Sequence, residues 1–141
     1  MVLNKMRGFT LIEAMIVVAL IGIIVAFGYP SYRDQVIKSR RAEGMGELLE
    51  LADRLERYYS DKGTYSGATL GNGSTDIFHA STAKGHYTLA IVAAETDDIQ
   101  FAVTATPKNG QEKDKCHTFK LTSQGTKTVN GGSLSADECW K

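Results

Sequence analysis

Three histidines, two cysteines and one pair of adjacent aspartates are the side chains of this 141-residue chain that could transfer protons, hold a metal or attack a carbonyl. His79, His86 and His117 lack the close spacing that places two imidazoles on one metal, so no metal is expected. Asp97 and Asp98 could act as general acid and base, but neighbouring residues of an extended chain point to opposite faces, and a solvated turn accounts for them. Cys116 beside His117 pairs a nucleophile with a base. A second thiol, Cys139, offers another use: the two cysteines could close a loop of about 20 residues, worth roughly 3 kcal/mol, as suits an oxidising compartment. Two unconnected buried thiols are the alternative. Gly71-Asn72-Gly73 and Gly131-Gly132 have neither the strand-to-helix setting nor the lysine of a phosphate loop. Lys108, Lys113, Lys115, Lys120 and Lys127 are the candidates for a basic stripe, but Glu112 and Asp114 interrupt them, so nucleic acid is not an expected partner. The reading is of a chain with no catalytic residue and no cofactor, not an enzyme.

The strongest signal is at the other end of the chain. Ala14 to Tyr32 carries no charge, and Leu11 to Tyr29 is apolar except for Glu13, Gly22 and Gly28. As a helix these residues would be about 29 Å long, enough to span a hydrocarbon core. Charge does not orient the span: Lys5 and Arg7 precede it, but Arg33, Lys38, Arg40 and Arg41 outnumber them beyond it. An ordinary signal peptide cut after Ala26-Phe27-Gly28 would release a soluble periplasmic domain beginning at Tyr29. Against that stands Glu13, whose carboxylate would cost on the order of 3 kcal/mol at mid-bilayer and does nothing for a signal peptide. Thr10-Leu11-Ile12-Glu13 also fits a capping box, which makes the charge tolerable at a helix start.

Lys5-Met6-Arg7-Gly8-Phe9-Thr10-Leu11-Ile12-Glu13 closely resembles the class III signal of type IV pilins. The resemblance implies that a prepilin peptidase cuts after Gly8, that Phe9 becomes the N-methylated first residue, and that Glu13 serves in assembly. It also assigns Gly22 and Pro30 to the glycine and proline that loosen the anchor helix. Loss of the first eight residues would leave about 14 basic against 16 acidic side chains.

The elements that must carry these groups follow from periodicity. Met45, Leu48, Ala52, Leu55 and Tyr59 recur at helical spacing among Glu47, Glu50, Asp53, Glu56 and Arg57, so the helix continues as an amphipathic one. From Leu11 to Tyr59 it would run about 73 Å. Pro30 should kink or loosen it, and Gly63 should stop it. Asp61 to Ser74 reads as the start of a surface loop. Strands are expected at Tyr87–Val92, Ile99–Ala105 and Thr118–Thr122, with a short fourth at 126–129. The fold class is α+β: a long N-terminal helix on a small antiparallel sheet of about four strands. With a C-terminal disulfide loop between Cys116 and Cys139, this order resembles the type IV pilin fold. The ending, with its Cys139-Trp140, is most similar to minor pilins of the PilE kind.

The expected parts are a leader over 1–8, a membrane and filament-core helix over 9–31, and a head over 32–141. The resemblance implies a subunit, minor in type, held in the inner membrane with its head in the periplasm and then built into an extracellular pilus for adhesion and twitching motility. Its implied partners are other pilin subunits, the prepilin peptidase, the inner-membrane assembly machinery and, before assembly, lipid. A type II secretion pseudopilin is one alternative, although its major form carries calcium ligands rather than this cysteine pair. A DNA-uptake pilin is another.

Overall fold

A computed structural model describes residues 8–141, so Lys5, Arg7 and all of the expected leader except Gly8 lie outside the described residues. The chain divides into two compact units between Val36 and Ile37. Helix α1, Leu11–Lys62, has residues in both.

In the first unit every described residue from Gly8 to Gln35 is exposed, including Leu11, Ile16, Val18, Ile24 and Phe27. Among the described residues α1 is the one helix long and apolar enough to cross a membrane. Gly22 and Pro30 both lie within its assigned span, so neither ends it.

The second unit has its own core. Helix α1 turns Gly44, Leu48, Leu51 and Leu55 inward at spacings of four, three and four. Met45, Ala52 and Tyr59, three of the five residues expected to form the stripe, flank it and are only partly buried. Leu51, which was not in the expected stripe, is fully buried. A Cβ on Gly44 would meet the Tyr87 ring at 2.7 Å, so the helix approaches the sheet closely where a side chain is missing. The helix ends one residue before Gly63, whose φ is +74° and whose N–H donates to the Tyr59 carbonyl.

Four antiparallel strands follow in sequence order: β1, Tyr87–Ile91; β2, Ala102–Pro107; β3, Thr118–Thr122; and β4, Lys127–Asn130. Their register places Leu89, Ala105, Phe119 and Val129 in one row and Ile91, Val103 and Leu121 in the next. Because side chains alternate along a strand, such rows make a continuous apolar face. The second strand begins three residues later than its pattern suggested. Asp97 Oδ1 accepts the Ile99 and Gln100 amides at 2.9 and 3.0 Å and holds 97–100 in a turn, leaving Ile99 77% exposed.

The connection from α1 to β1 contributes more than a surface loop would. Phe78 enters the core, and the Ala80 carbonyl accepts the Leu89 amide, covering the outer edge of β1. Glu47 and Glu43 of α1 accept the Ala83 and Lys84 amides. Tyr65 stacks on Tyr59 and donates to Glu56 Oε2 at 2.9 Å. Burial, and then this contact with Glu56, pushes its phenol up to about 12.

Candidate functional sites

At the start of α1, Glu13 Oε2 accepts both the Thr10 amide and the Thr10 hydroxyl at 2.9 Å, while the Glu13 amide donates back to Thr10 Oγ1 at 3.3 Å. This is the reciprocal capping box, which satisfies donors that the first turn leaves unpaired. It occupies one carboxylate oxygen; among the described residues no partner is recorded for Oε1. Phe9 stands just ahead of the helix and is 88% exposed. Each residue of the described part of the expected processing site, Gly8 to Glu13, is therefore exposed, and the segment leads into an apolar helix.

At the far end of the chain Cys116 and Cys139 form a disulfide, with Cα atoms 5.8 Å apart and both residues buried. The loop they close is packed from inside. Ser133 and Leu134 donate their amides to the Lys115 carbonyl at 2.7 and 3.2 Å. A Cβ on Gly132 would come within 2.2 Å of that same oxygen, so only glycine fits there. The short helix α2, Ala136–Cys139, is capped by Ser135 and Glu138. Donation by the Ser135 amide and hydroxyl holds the Glu138 carboxyl below its usual range. Trp140 packs edge-on against Phe119 at 5.3 Å and donates its indole N–H to the Thr128 carbonyl at 3.1 Å. Lys127 lies over its ring at 5.3 Å.

A third arrangement was invisible in the sequence. Asp114, 3% exposed, receives Arg41 Nε at 3.0 Å and Nη2 at 2.5 Å, a two-point contact between α1 and the β2–β3 connection. The same carboxylate accepts the Cys116 amide at 3.1 Å and the Gln111 amide group at 3.2 Å. Gln111 also donates to the Tyr87 hydroxyl and to the Ile37 carbonyl of α1. The Asp114 contact raises the Arg41 guanidinium pKa, against the opposing effect of burial. Burial raises the Tyr87 phenol pKa, even though the Gln111 hydrogen bond lowers it. The partners in the ion pair are 73 residues apart, and Asp114 sits between two lysines, so its sequence context suggested a solvated charge. A buried aspartate with one arginine, two amide donors and the Tyr87 hydroxyl at 3.4 Å ties the helix, the sheet and the disulfide together.

The other residues considered for chemistry are dispersed. His79 Nε2 contacts Glu47 Oε2, and His117 Nδ1 lies 3.1 Å from Thr118 Oγ1. Asp97 belongs to the turn described above, and Asp98 accepts the Thr64 hydroxyl. Among the described residues no group of three His, Cys, Asp or Glu is placed to hold a metal. The lysines are arranged differently from the expectation. Asp114 is buried and committed to Arg41, so it does not offset Lys113 and Lys115 at the surface. Lys120 is paired with Glu95.

Comparison with known proteins gives the following matches. The family model described as "Type IV minor pilin ComP, DNA uptake sequence receptor" matches residues 30–120. The prokaryotic N-terminal methylation motif matches residues 3–29. The fimbrial protein EcpC of Eikenella corrodens is 35% identical over 131 residues, covering 92% of this chain and 79% of that protein. A type IV major fimbrial protein FimA of Dichelobacter nodosus is 34% identical over 135 residues, covering 92% and 74%. Among solved structures, the non-core minor pilin PilV of Neisseria meningitidis superposes with a TM-score of 0.54 at 20% identity, covering 72% of this chain and 94% of that one, and so shares the fold.

Proposed function

The chain belongs to the type IV pilin family, and from that premise we propose that it is a minor pilin cut after Gly8 by the prepilin peptidase, methylated at Phe9 and packed through its apolar helix into a filament. The observation that carries the proposal is the contrast in burial along α1. Gly8 to Gln35 is exposed throughout, while the residues from Ile37 onward complete a core of their own. So much apolar surface needs lipid before assembly and neighbouring helices afterwards. In this reading the head lies in the periplasm while the subunit waits in the inner membrane, the assembly machinery extracts it, and the pilus serves adhesion and twitching motility. Gly22 and Pro30 supply the place where the anchor helix can loosen as it packs.

Glu13 has a defined part in this scheme. Its carboxylate sits about 6 Å along the helix from the amine that cleavage would expose on Phe9, so one subunit's Glu13 can meet another's amine as two helices slide together. An unpaired carboxylate among apolar helices costs several kcal/mol, which selects the register that pairs it. The capping box does not compete with this, because it uses Oε2 and leaves Oε1.

Two measurements test the reading. Intact mass and N-terminal sequencing of the protein from its native cells should show a chain beginning at methylated Phe9; a chain beginning at Tyr29 would refute the processing. Glu13→Gln keeps a side chain able to cap. Insertion and cleavage should persist, while incorporation into sheared pili falls roughly tenfold, equivalent to losing about 1.4 kcal/mol of pairing. Wild-type incorporation would leave Glu13 with a capping role alone.

A second reading is favoured by one specific observation. The family model over residues 30–120 is named for a DNA uptake sequence receptor, and with Asp114 buried, Lys113 and Lys115 are exposed with Glu112 as the remaining acid of the two that interrupt them. DNA capture by the head predicts binding that weakens steeply with salt and that Lys113→Ala with Lys115→Ala reduces. Salt-independent or absent binding to double-stranded DNA would remove this reading and leave the first intact.

A further inference from the structure

The chain contains three Asn-Gly steps, Asn72-Gly73, Asn109-Gly110 and Asn130-Gly131. Glycine has no Cβ to shield its backbone nitrogen, so at such a step that nitrogen can reach the preceding carboxamide. By sequence the three are equivalent, but the fold treats them differently. The Gly73 amide donates to Asp76 Oδ2 at 2.8 Å, and the Gly110 amide donates to Glu112 Oε2 at 2.7 Å. An amide that donates to a carboxylate is held in place, and losing its proton would set a second negative charge against the first. Asn109 is further restrained, because its carboxamide donates to the Gly85 carbonyl at 2.7 Å.

Asn130 ends β4 and is exposed, as is Gly131. Among the described residues no acceptor is recorded for the Gly131 amide and no partner for the Asn130 carboxamide. The His117 ring packs beside the step: a Cβ on Gly131 would lie 3.1 Å from His117 Nδ1, which also lies 3.1 Å from Thr118 Oγ1. Imidazole is the side chain best suited to take a proton near neutral pH.

We propose that Asn130 is a site of spontaneous covalent modification, at which the Gly131 nitrogen closes on the Asn130 side chain and the resulting imide opens to aspartate and isoaspartate. In the closing step the nitrogen gives up its proton toward His117, a bond forms from nitrogen to Cγ, and the Cγ–Nδ2 bond breaks. Nδ2 leaves as ammonia after taking up a proton. Water then adds across either imide carbonyl, so the net change is carboxamide plus water to carboxylate plus ammonium, with no oxidant or reductant. The product adds a negative charge at the end of β4. In the isoaspartyl form it also lengthens the backbone by one methylene beside Gly132, which is packed against Lys115.

The test is peptide mapping by mass spectrometry of the full-length protein, kept in detergent micelles at pH 8 and about 37 °C for days, against the same protein held in urea. In the native protein Asn130 should convert first, with Asn72 behind it and Asn109 last; in urea the three should converge. His117→Gln should slow Asn130 several-fold and leave the other two unchanged. Asp76→Ala, which removes the acceptor of the Gly73 amide without touching the β4 region, should speed Asn72. Earlier conversion of Asn72 or Asn109 than Asn130 in the native wild-type protein would overturn the proposal whether or not the variants fold. A folded His117→Gln protein that converts Asn130 at the wild-type rate would remove the base from it.

Discussion

The two halves of α1 share one secondary structure and meet opposite fates. Between Ala14 and Tyr32 the helix carries no charge on any side and none of it is buried. Between Gly44 and Leu55 it is apolar on one stripe only, and that stripe is almost completely buried. A helix that is apolar all round must find lipid or other helices, whereas an amphipathic one can be satisfied by a single sheet. Burial therefore follows the pattern of side chains around the helix, not its hydrophobicity, and the less apolar half is the one that folds within its own chain.

The most drastic way to break the comparison is to cut it. A chain starting at Tyr32 should be soluble, monomeric and cooperatively folded, since the core is assembled from residues after Ile37. Circular dichroism and proton NMR would show this, and an unfolded product would mean that the head depends on the apolar half. Opening the Cys116–Cys139 bond should cost the head about 3 kcal/mol, read as a shift in urea midpoint between oxidised and reduced protein. An unchanged midpoint would reduce the bond to a passive feature.

Glycine substitutions sharpen the contrast along the helix itself. Alanine normally favours a helix over glycine by about 1 kcal/mol. Gly22→Ala meets no atom within 4 Å and should show that benefit as slower hydrogen exchange around residue 22 in micelles. Gly44→Ala drives a methyl into the Tyr87 ring and should destabilise the head by about 1–3 kcal/mol. Equal effects at both positions would mean that close approach to the sheet does not govern the second.

The smallest effect expected is at alkaline pH. The Tyr65 phenol stands at about 12 in the folded head and Tyr87 is raised as well, whereas an unfolded tyrosine ionises near pH 10. Above about pH 10 the unfolded chain has lost protons that the folded chain keeps, so stability is full below that point and falls as pH rises through it. Urea midpoints measured from about pH 9 to 11 should decline, and Tyr65→Phe should flatten the decline.

Local pattern made much of this protein legible. The apolar run, the Thr10–Glu13 cap, the helical stripe, the stop at Gly63 and the alternation of Tyr87, Leu89 and Ile91 are short-range regularities, and each declares itself within a few residues. The family signature from Lys5 to Glu13 is local for a related reason: it is a processing signal carried in consecutive residues. Ile99 was misplaced because alternation continued into a turn that Asp97 closes through backbone amides.

Sequence by itself therefore determined that the helix has an apolar half and an amphipathic half, that strands follow, and that two cysteines stand where a loop could close. Only the tertiary structure decided that Arg41 would reach Asp114 across 73 residues, that Phe78 would leave its loop for the core, and that Gly132 would lie against the Lys115 carbonyl. The physical reason is that a periodic pattern reports how one segment meets an undifferentiated apolar environment. A buried charge instead needs a particular partner, and which partner it meets is set by how distant segments come together in the folded chain.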